Sequence, residues 1–205
     1  ERWLGEGAHA AGDLGRFVDL CLRHGLNAIG AWPASFLSSG GWPGPDGGTW
    51  LKPGFHNGEL RAFDPARIVE HVQRSWYDPY SGGLPPLDGR TDPAPERTEA
   101  YSWAKAPRYG GQPAEAGPLA RLLIDGDPLV VDLWKRHGPS AFVRETARLH
   151  EALRLLRQLG LWLGEVKPEE PFYQETPRAV SGSGIGLVEA PRGTLGHWLR
   201  VEEGK

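Results

Sequence analysis

Apolar residues recur at helical spacing in three stretches of the chain. The longest covers 140–163. There Phe142, Thr146, Leu149, Leu153, Leu156, Gly160 and Leu163 follow at alternating steps of three and four, and Arg144, Glu145, Arg148, Glu151, Arg154 and Arg157 fill the other side. This spacing predicts one long amphipathic helix packed on partner helices, with Ser140 as its N-cap. Gly160 on the seam would let a neighbouring helix approach closely. A shorter amphipathic stretch covers 12–24. In 64–76, Asp64 is a candidate cap, Pro65 stands at the first helical position, and Ile68, Val69, Val72 and Trp76 share a face, so a third helix is expected there.

Strand signals concentrate near the end of the chain. Residues 184–189 and 195–203 flank a turn at Pro191-Arg192-Gly193 and read as a hairpin. Between the periodic segments, 30–65 and 78–118 are punctuated by GGWPGPDGG, DPYSGG and RTDPAP. Both carry many aromatics, among them Trp42, Trp50, Tyr77 and Trp103, which marks them as long ordered loops rather than disorder. No internal repeat is apparent. The expected fold class is α+β, mainly α: a long bundle-type helix, long ordered loops and a small antiparallel sheet or hairpin near the C-terminus.

Composition narrows the function classes. In 205 residues, 39% are hydrophobic and 24% charged, as in ordinary globular proteins. No apolar run is long enough to cross a membrane, so no direct membrane insertion is expected. A net charge of −3 leaves no electrostatic footprint for nucleic acid. The opening ERWLGEGAHA has no charged-then-apolar signal pattern, and the chain has no Met, so a processed or excised piece is expected. Cys21 is the only cysteine and cannot form an internal disulfide, a thiolate zinc site or an iron–sulfur cluster. It shares a helical face with Phe17 and Leu20 and reads as a small buried hydrophobe.

Several chemistries are excluded by spacing. No GxxxxGK[ST] phosphate loop and no GxSxG nucleophile elbow occur, and the seven His residues include no i,i+4 pair of the zinc-protease type. GSGIG at 182–186 resembles a phosphate cradle, but a strand and Pro191 follow it where a helix N-terminus is needed. It reads better as backbone that approaches another surface closely. In EAPRGTLGHW (189–198), Pro191 fixes φ and Gly193 permits a tight bend, so Arg192 can project a non-titrating fork of donors at an anionic or polarised group. The competing account pairs Arg192 with Glu189 or another acid. In 101–123, Lys105, Arg108, Glu115 and Arg121 offer charges that can satisfy one another around a loop.

Taken together, four blocks resemble the large subunit of nickel-iron hydrogenases. SWYDPYSGGLPPLDGRTDP (75–93) is similar to the family's SWY, short loop and DGxTxP turn. YSWAKAPRYGGQPAEAGPLARLL (101–123) is similar to K-x-PRY-x-G-x-x-x-E-x-GPLAR. RETARLHE (144–151) resembles R-x-x-AR-x-x-E on a bundle helix, and GIGLVEAPRGTLGHW (184–198) resembles G-x-G-x-x-EAPRG-x-L-x-HW. Weaker similarity reaches back through GLNAIGAWPASFLSSGGWP (25–43). The quinone-site subunit of respiratory complex I carries a similar E-x-PRG element, but the GHW ending and the GPLAR block favour hydrogenase.

The resemblance implies an enzyme that splits or forms H2 heterolytically at a nickel-iron centre with CO and cyanide ligands. It also implies an iron–sulfur small subunit as partner. It places Arg192 over the metal centre, donating to a cyanide ligand, with Ala190 and Pro191 lining the pocket. Glu189, His197, Glu115 and Arg121 would brace the walls. The family's metal ligands come from two paired-cysteine motifs, R-x-CG-x-C and DPC-x-x-C-x-x-H, and neither is present here. Residues 1–205 are therefore expected to be the central portion of a large-subunit domain, with no metal ligand and no cofactor of its own, inactive alone and prone to self-association. A non-catalytic scaffold or assembly module is the alternative. Cytoplasmic and periplasmic settings both fit.

Overall fold

β1 (Phe36–Pro43) and β2 (Thr49–His56) pair antiparallel from Phe36↔His56 to Pro43↔Thr49 in a computed structural model. That structure describes residues 12–32, 35–44, 47–173, 175 and 181–205; the reading of the N-terminal decapeptide lies outside them. The two-residue strand β3 (Leu60–Arg61) extends the sheet antiparallel to β2. On the other side, β6 (Glu115–Ala116) runs parallel to β1, giving the order β3-β2-β1-β6. Two further antiparallel pairs complete the β structure: β4 (Ile68–His71) with β5 (Ala106–Tyr109), and β7 (Gly182–Ala190) with β8 (Gly193–Val201).

Four α-helices occur among the described residues: α1 (Asp13–Arg23), α2 (Pro118–Asp125), α3 (Pro128–His137) and α4 (Ala141–Glu165). The punctuation that starts and stops them is local. Gly117 and Pro118 open α2, and Gly126 closes it in the left-handed conformation, its N–H bonding the carbonyls of Leu122 and Leu123. Asp127 then caps α3 by accepting from Val130 N at 3.1 Å. Ser140 caps α4 as expected. The helices pack on one face of the four-stranded sheet. The core joins Phe36 and Leu51 of the sheet to Leu119, Leu122, Val130, Phe142 and Val143, with Cys21 buried among them. Burial pushes the Cys21 thiol up, and Glu145 adds to the effect, so it behaves as the expected small hydrophobe. Arg154 of α4 bonds Asp125 and Asp127, tying the long helix to the corner between α2 and α3.

The α+β class, α4, α1 and the C-terminal hairpin match the sequence reading. Three expectations are corrected. Residues 64–76 are not a helix. Asp64 does cap, accepting from Ala66 N, but only a single 3₁₀ turn at Pro65–Arg67. The β-branched residues Ile68 and Val69 then enter the strand β4, because the PRY segment supplies a partner and extended backbone suits them. Residues 30–65 and 78–118 are not loops throughout, since β1, β2 and β3 fall inside the first and β5 and β6 inside the second. Glu151 does not lie on the solvent face of α4. It continues the Val143–Ala147 stripe at steps of four and is buried with them. What remains of the second loop, 78–104, is ordered, as expected, with one 3₁₀ turn at Pro86–Asp88. The Arg97 guanidinium donates to the carbonyls of Val72, Gln73, Ser75 and Tyr77 and holds that segment in place.

Candidate functional site

The β7–β8 hairpin closes at Ala190↔Gly193, leaving Pro191 and Arg192 as a two-residue turn. The turn rests on the start of α2. Gly117, at φ +120°, lies so close that a Cβ there would stand 3.0 Å from the carbonyl oxygen of Arg192. Gly193, at φ +145°, would drive a Cβ to 2.8 Å from the Ala116 methyl. Both glycines are required, for conformation and for space. The close backbone approach expected of the glycine-rich run 182–186 is corrected: Gly182, Gly184 and Gly186 face open space, and the close approach occurs instead at Gly117 and Gly193, outside that run.

Beneath the turn lies a buried charge cluster. Arg121 of α2 is fully buried, with Trp42 5.3 Å from its guanidinium carbon. Its Nε and Nη2 donate to the two oxygens of Glu151 at 2.7 and 2.6 Å, a fork-to-fork pair. Its Nη1 donates to Glu189 Oε2 at 2.7 Å and to the Ala190 carbonyl at 2.9 Å. The other oxygen of Glu189 accepts from Ser39 N, Ser39 Oγ and Thr194 Oγ1 at 2.8, 2.9 and 2.6 Å. Burial by itself would lower the Arg121 pKa. The hydrogen bonds and charges of Glu151 and Glu189 outweigh it and hold the pKa above the ordinary arginine value. One guanidinium faces two carboxylates, and the hydroxyl and amide donors around Glu189 make that imbalance tolerable.

The site residues read from the sequence sort accordingly. Arg121, Glu189 and Ala190 are brought together. Glu115 is not part of this cluster. It takes a two-bond pair from Arg144 at 2.8 and 2.8 Å, and Arg144 also bonds the Gly30 carbonyl. Lys105 pairs with Glu70. The expected pairing among Lys105, Arg108, Glu115 and Arg121 is therefore replaced by partners on α4, β4 and β7, which converge only in three dimensions. Pro191 and Arg192 are exposed, and no ion pair to Arg192 occurs among the described residues. The pairing of Arg192 with Glu189 is corrected too, since Arg121 occupies that carboxylate. His197, on β8 opposite Gly186, is exposed and outside the cluster. Ser39, Thr194 and Glu151 were missed as site residues. Two of them left a trace in the sequence: Glu151 closes the RETARLHE block and Thr194 lies within the GIGLVEAPRGTLGHW block.

A cavity of about 260 Å³ lies behind the hairpin, lined by Leu37, Ile68, Tyr109, Leu187 and Trp198, with Arg108 at its edge. Among the described residues no three His, Cys, Asp or Glu side chains converge as a metal site would require. No helix among them is long and apolar enough to cross a membrane.

Comparison with known proteins places this architecture. Residues 29–205 match the sequence model of the nickel-dependent hydrogenase family. The periplasmic [NiFeSe] hydrogenase large subunit of Desulfomicrobium baculatum is 33% identical over 174 residues, covering 76% of this chain and 34% of the relative. The hydrogenase-1 large chain of Escherichia coli K12 is 31% identical, over 69% of this chain and 30% of the relative. The Ni-Fe-Se hydrogenase of Desulfovibrio vulgaris Hildenborough, solved in its as-isolated oxidized state, superposes with a TM-score of 0.81 at 29% identity. That superposition covers 97% of this chain and 46% of the solved one. The chain thus spans about a third of the length of the curated relatives it matches. The GPLAR helix, the EAPRG turn seated on it and the family match over most of the chain lead to one conclusion: the protein belongs to the nickel-dependent hydrogenase family.

Proposed function

We propose that this chain forms the central part of the catalytic large subunit of a hydrogenase that oxidises or produces H2. The observation that carries the proposal is the Pro191-Arg192 turn. It is pinned from below by Arg121 and the 116–117 backbone, and it presents an exposed guanidinium without an acidic partner among the described residues. A rigid turn that holds a charge it does not neutralise is preorganised to face something brought from elsewhere. A nickel-iron centre carrying CO and cyanide ligands would supply the heterolytic chemistry. This chain does not fit such a centre as its holder. Cys21 is its one thiol, and that thiol is packed in the helical core.

Its own residues have a narrower part. Arg192 would keep its charge at any working pH and offer a planar fork to an anionic ligand of the centre. Pro191 and Ala190 would shape the adjoining wall. Arg121, Glu189 and Glu115 would hold that wall to the core. An iron–sulfur small subunit is the proposed electron partner, as the resemblance to two-subunit hydrogenases implies.

Arg192→Lys tests the reading, because lysine retains the charge and loses the fork. In the full-length subunit, H2 oxidation should fall by about a hundredfold, the scale for loss of one preorganised donor. In the isolated chain, denaturant unfolding should change by no more than about half a kcal/mol. Full turnover together with an unfolded fragment would make Arg192 a structural residue and sink the proposal.

A further inference from the structure

We propose that Arg121, oriented by Glu151, is the positioning residue for Arg192; the inference rests on the functional reading above. Arg192 makes no ion pair among the described residues, so what the fold fixes is the backbone from which its side chain departs. That backbone is held by the β7–β8 ladder, by its close approach to 116–117, and by a side-chain anchor at the Ala190 carbonyl immediately before Pro191, which accepts from Arg121 Nη1 at 2.9 Å. The same nitrogen bonds Glu189 Oε2 at 2.7 Å, one residue earlier. The opposite edge of the same planar group is clamped by both oxygens of Glu151.

A guanidinium is rigid, so fixing one edge fixes the other. Glu151 on α4 therefore sets the plane of Arg121, and that plane sets where the Ala190 carbonyl and the following turn can sit. Thr194 and Ser39 complete the hold by binding the second oxygen of Glu189 from β8 and β1. A pair present only for stability would be complete with Arg121 and Glu151. Here the remaining edge of the fork goes to the two residues that precede Pro191.

The test is a double-mutant cycle in the full-length subunit assembled with its small subunit: Glu151→Gln, Arg192→Lys and both together. Glutamine keeps the size of Glu151 but cannot accept both bonds of the fork. Glu151→Gln should lower kcat by about tenfold or more, the scale of a sub-ångström displacement near reacting groups, with KM for H2 little changed. It should cost nothing further once Arg192 is lysine. The infrared stretching bands of the cyanide ligands should move in the same sense in both single variants.

Losses that multiply in the double variant, or cyanide bands that stay at the wild-type position in Glu151→Gln, overturn the positioning role. Normal turnover in Glu151→Gln beside a large loss in Arg192→Lys overturns it while leaving the functional reading intact. Unchanged turnover in Arg192→Lys sinks that reading and the inference with it. Should Glu151→Gln fail to fold, Thr194→Val removes one donor from Glu189 and leaves the Arg121–Glu151 pair untouched. It is expected to move kcat and the bands in the same sense, and wild-type values for both overturn the proposal.

Discussion

Arg121 shows how a single side chain can be costly and indispensable at once. Taking a guanidinium and two carboxylates out of water is unfavourable, and only their mutual bonds make the arrangement possible. Removing the cation leaves Glu151 and Glu189 uncompensated in the core. Arg121→Met is therefore expected to destabilise the chain by about 3–5 kcal/mol, measured by urea unfolding; a loss below about 1 kcal/mol would show that the carboxylates find other partners. His56 is a milder case. Burial beside Phe36 and Trp134 holds it below the ordinary histidine value of 6.5, its backbone hydrogen bond opposing the effect, and its Nδ1 has no partner. The unfolded chain then takes up the proton more readily than the folded one. His56 places no demand on stability above pH 6.5, and stability falls as pH drops below that value toward the folded pKa. Unfolding free energies between about pH 7.5 and pH 5 should show this decline, and His56→Phe should flatten it; an equal slope in the variant would assign the decline to other groups.

Among the elements, α4 carries two different surfaces. Its first three turns bury Phe142, Val143, Thr146, Ala147 and Glu151. Its last turns expose Leu156 at 63% and Leu163 at 71%, with Leu159 and Leu161 also open, so the seam expected from the sequence is covered for only half its length. An apolar strip of this kind invites association. The isolated chain is expected to self-associate in sedimentation experiments, and Leu156→Glu with Leu163→Glu to return it to monomer; a monomeric parent chain would contradict this. Helix α4 was legible because its apolar period runs uninterrupted for six steps. The short helices α2 and α3 were not. Seven of the eight residues of α2 are buried, so it shows no polar face to set the period. Strands β1 and β2 were hidden for another reason: Gly40, Gly41, Pro43, Pro53 and Gly54 read as turn residues, yet here they lie within or at the ends of paired strands. At the site, the EAPRG and GPLAR blocks were visible as motifs. The pairing between them was not, because Arg121, Glu151 and Glu189 come from three separate elements and no local pattern links them.

On the scale of the whole molecule, the charge cluster joins parts of the chain made at very different times. Arg121 lies 30 residues from Glu151 but 68 from Glu189, and Glu189 lies 150 from Ser39. During synthesis from the N-terminus, α2 can meet α4 well before the hairpin exists. Arg121 would then wait with one edge bound and the other still hydrated. The hairpin strands arrive later at a half-built socket, and Glu189 then takes the free edge of the guanidinium. A polypeptide stalled before residue 189 would leave that edge of Arg121 to water, and one that has passed the hairpin would cover it.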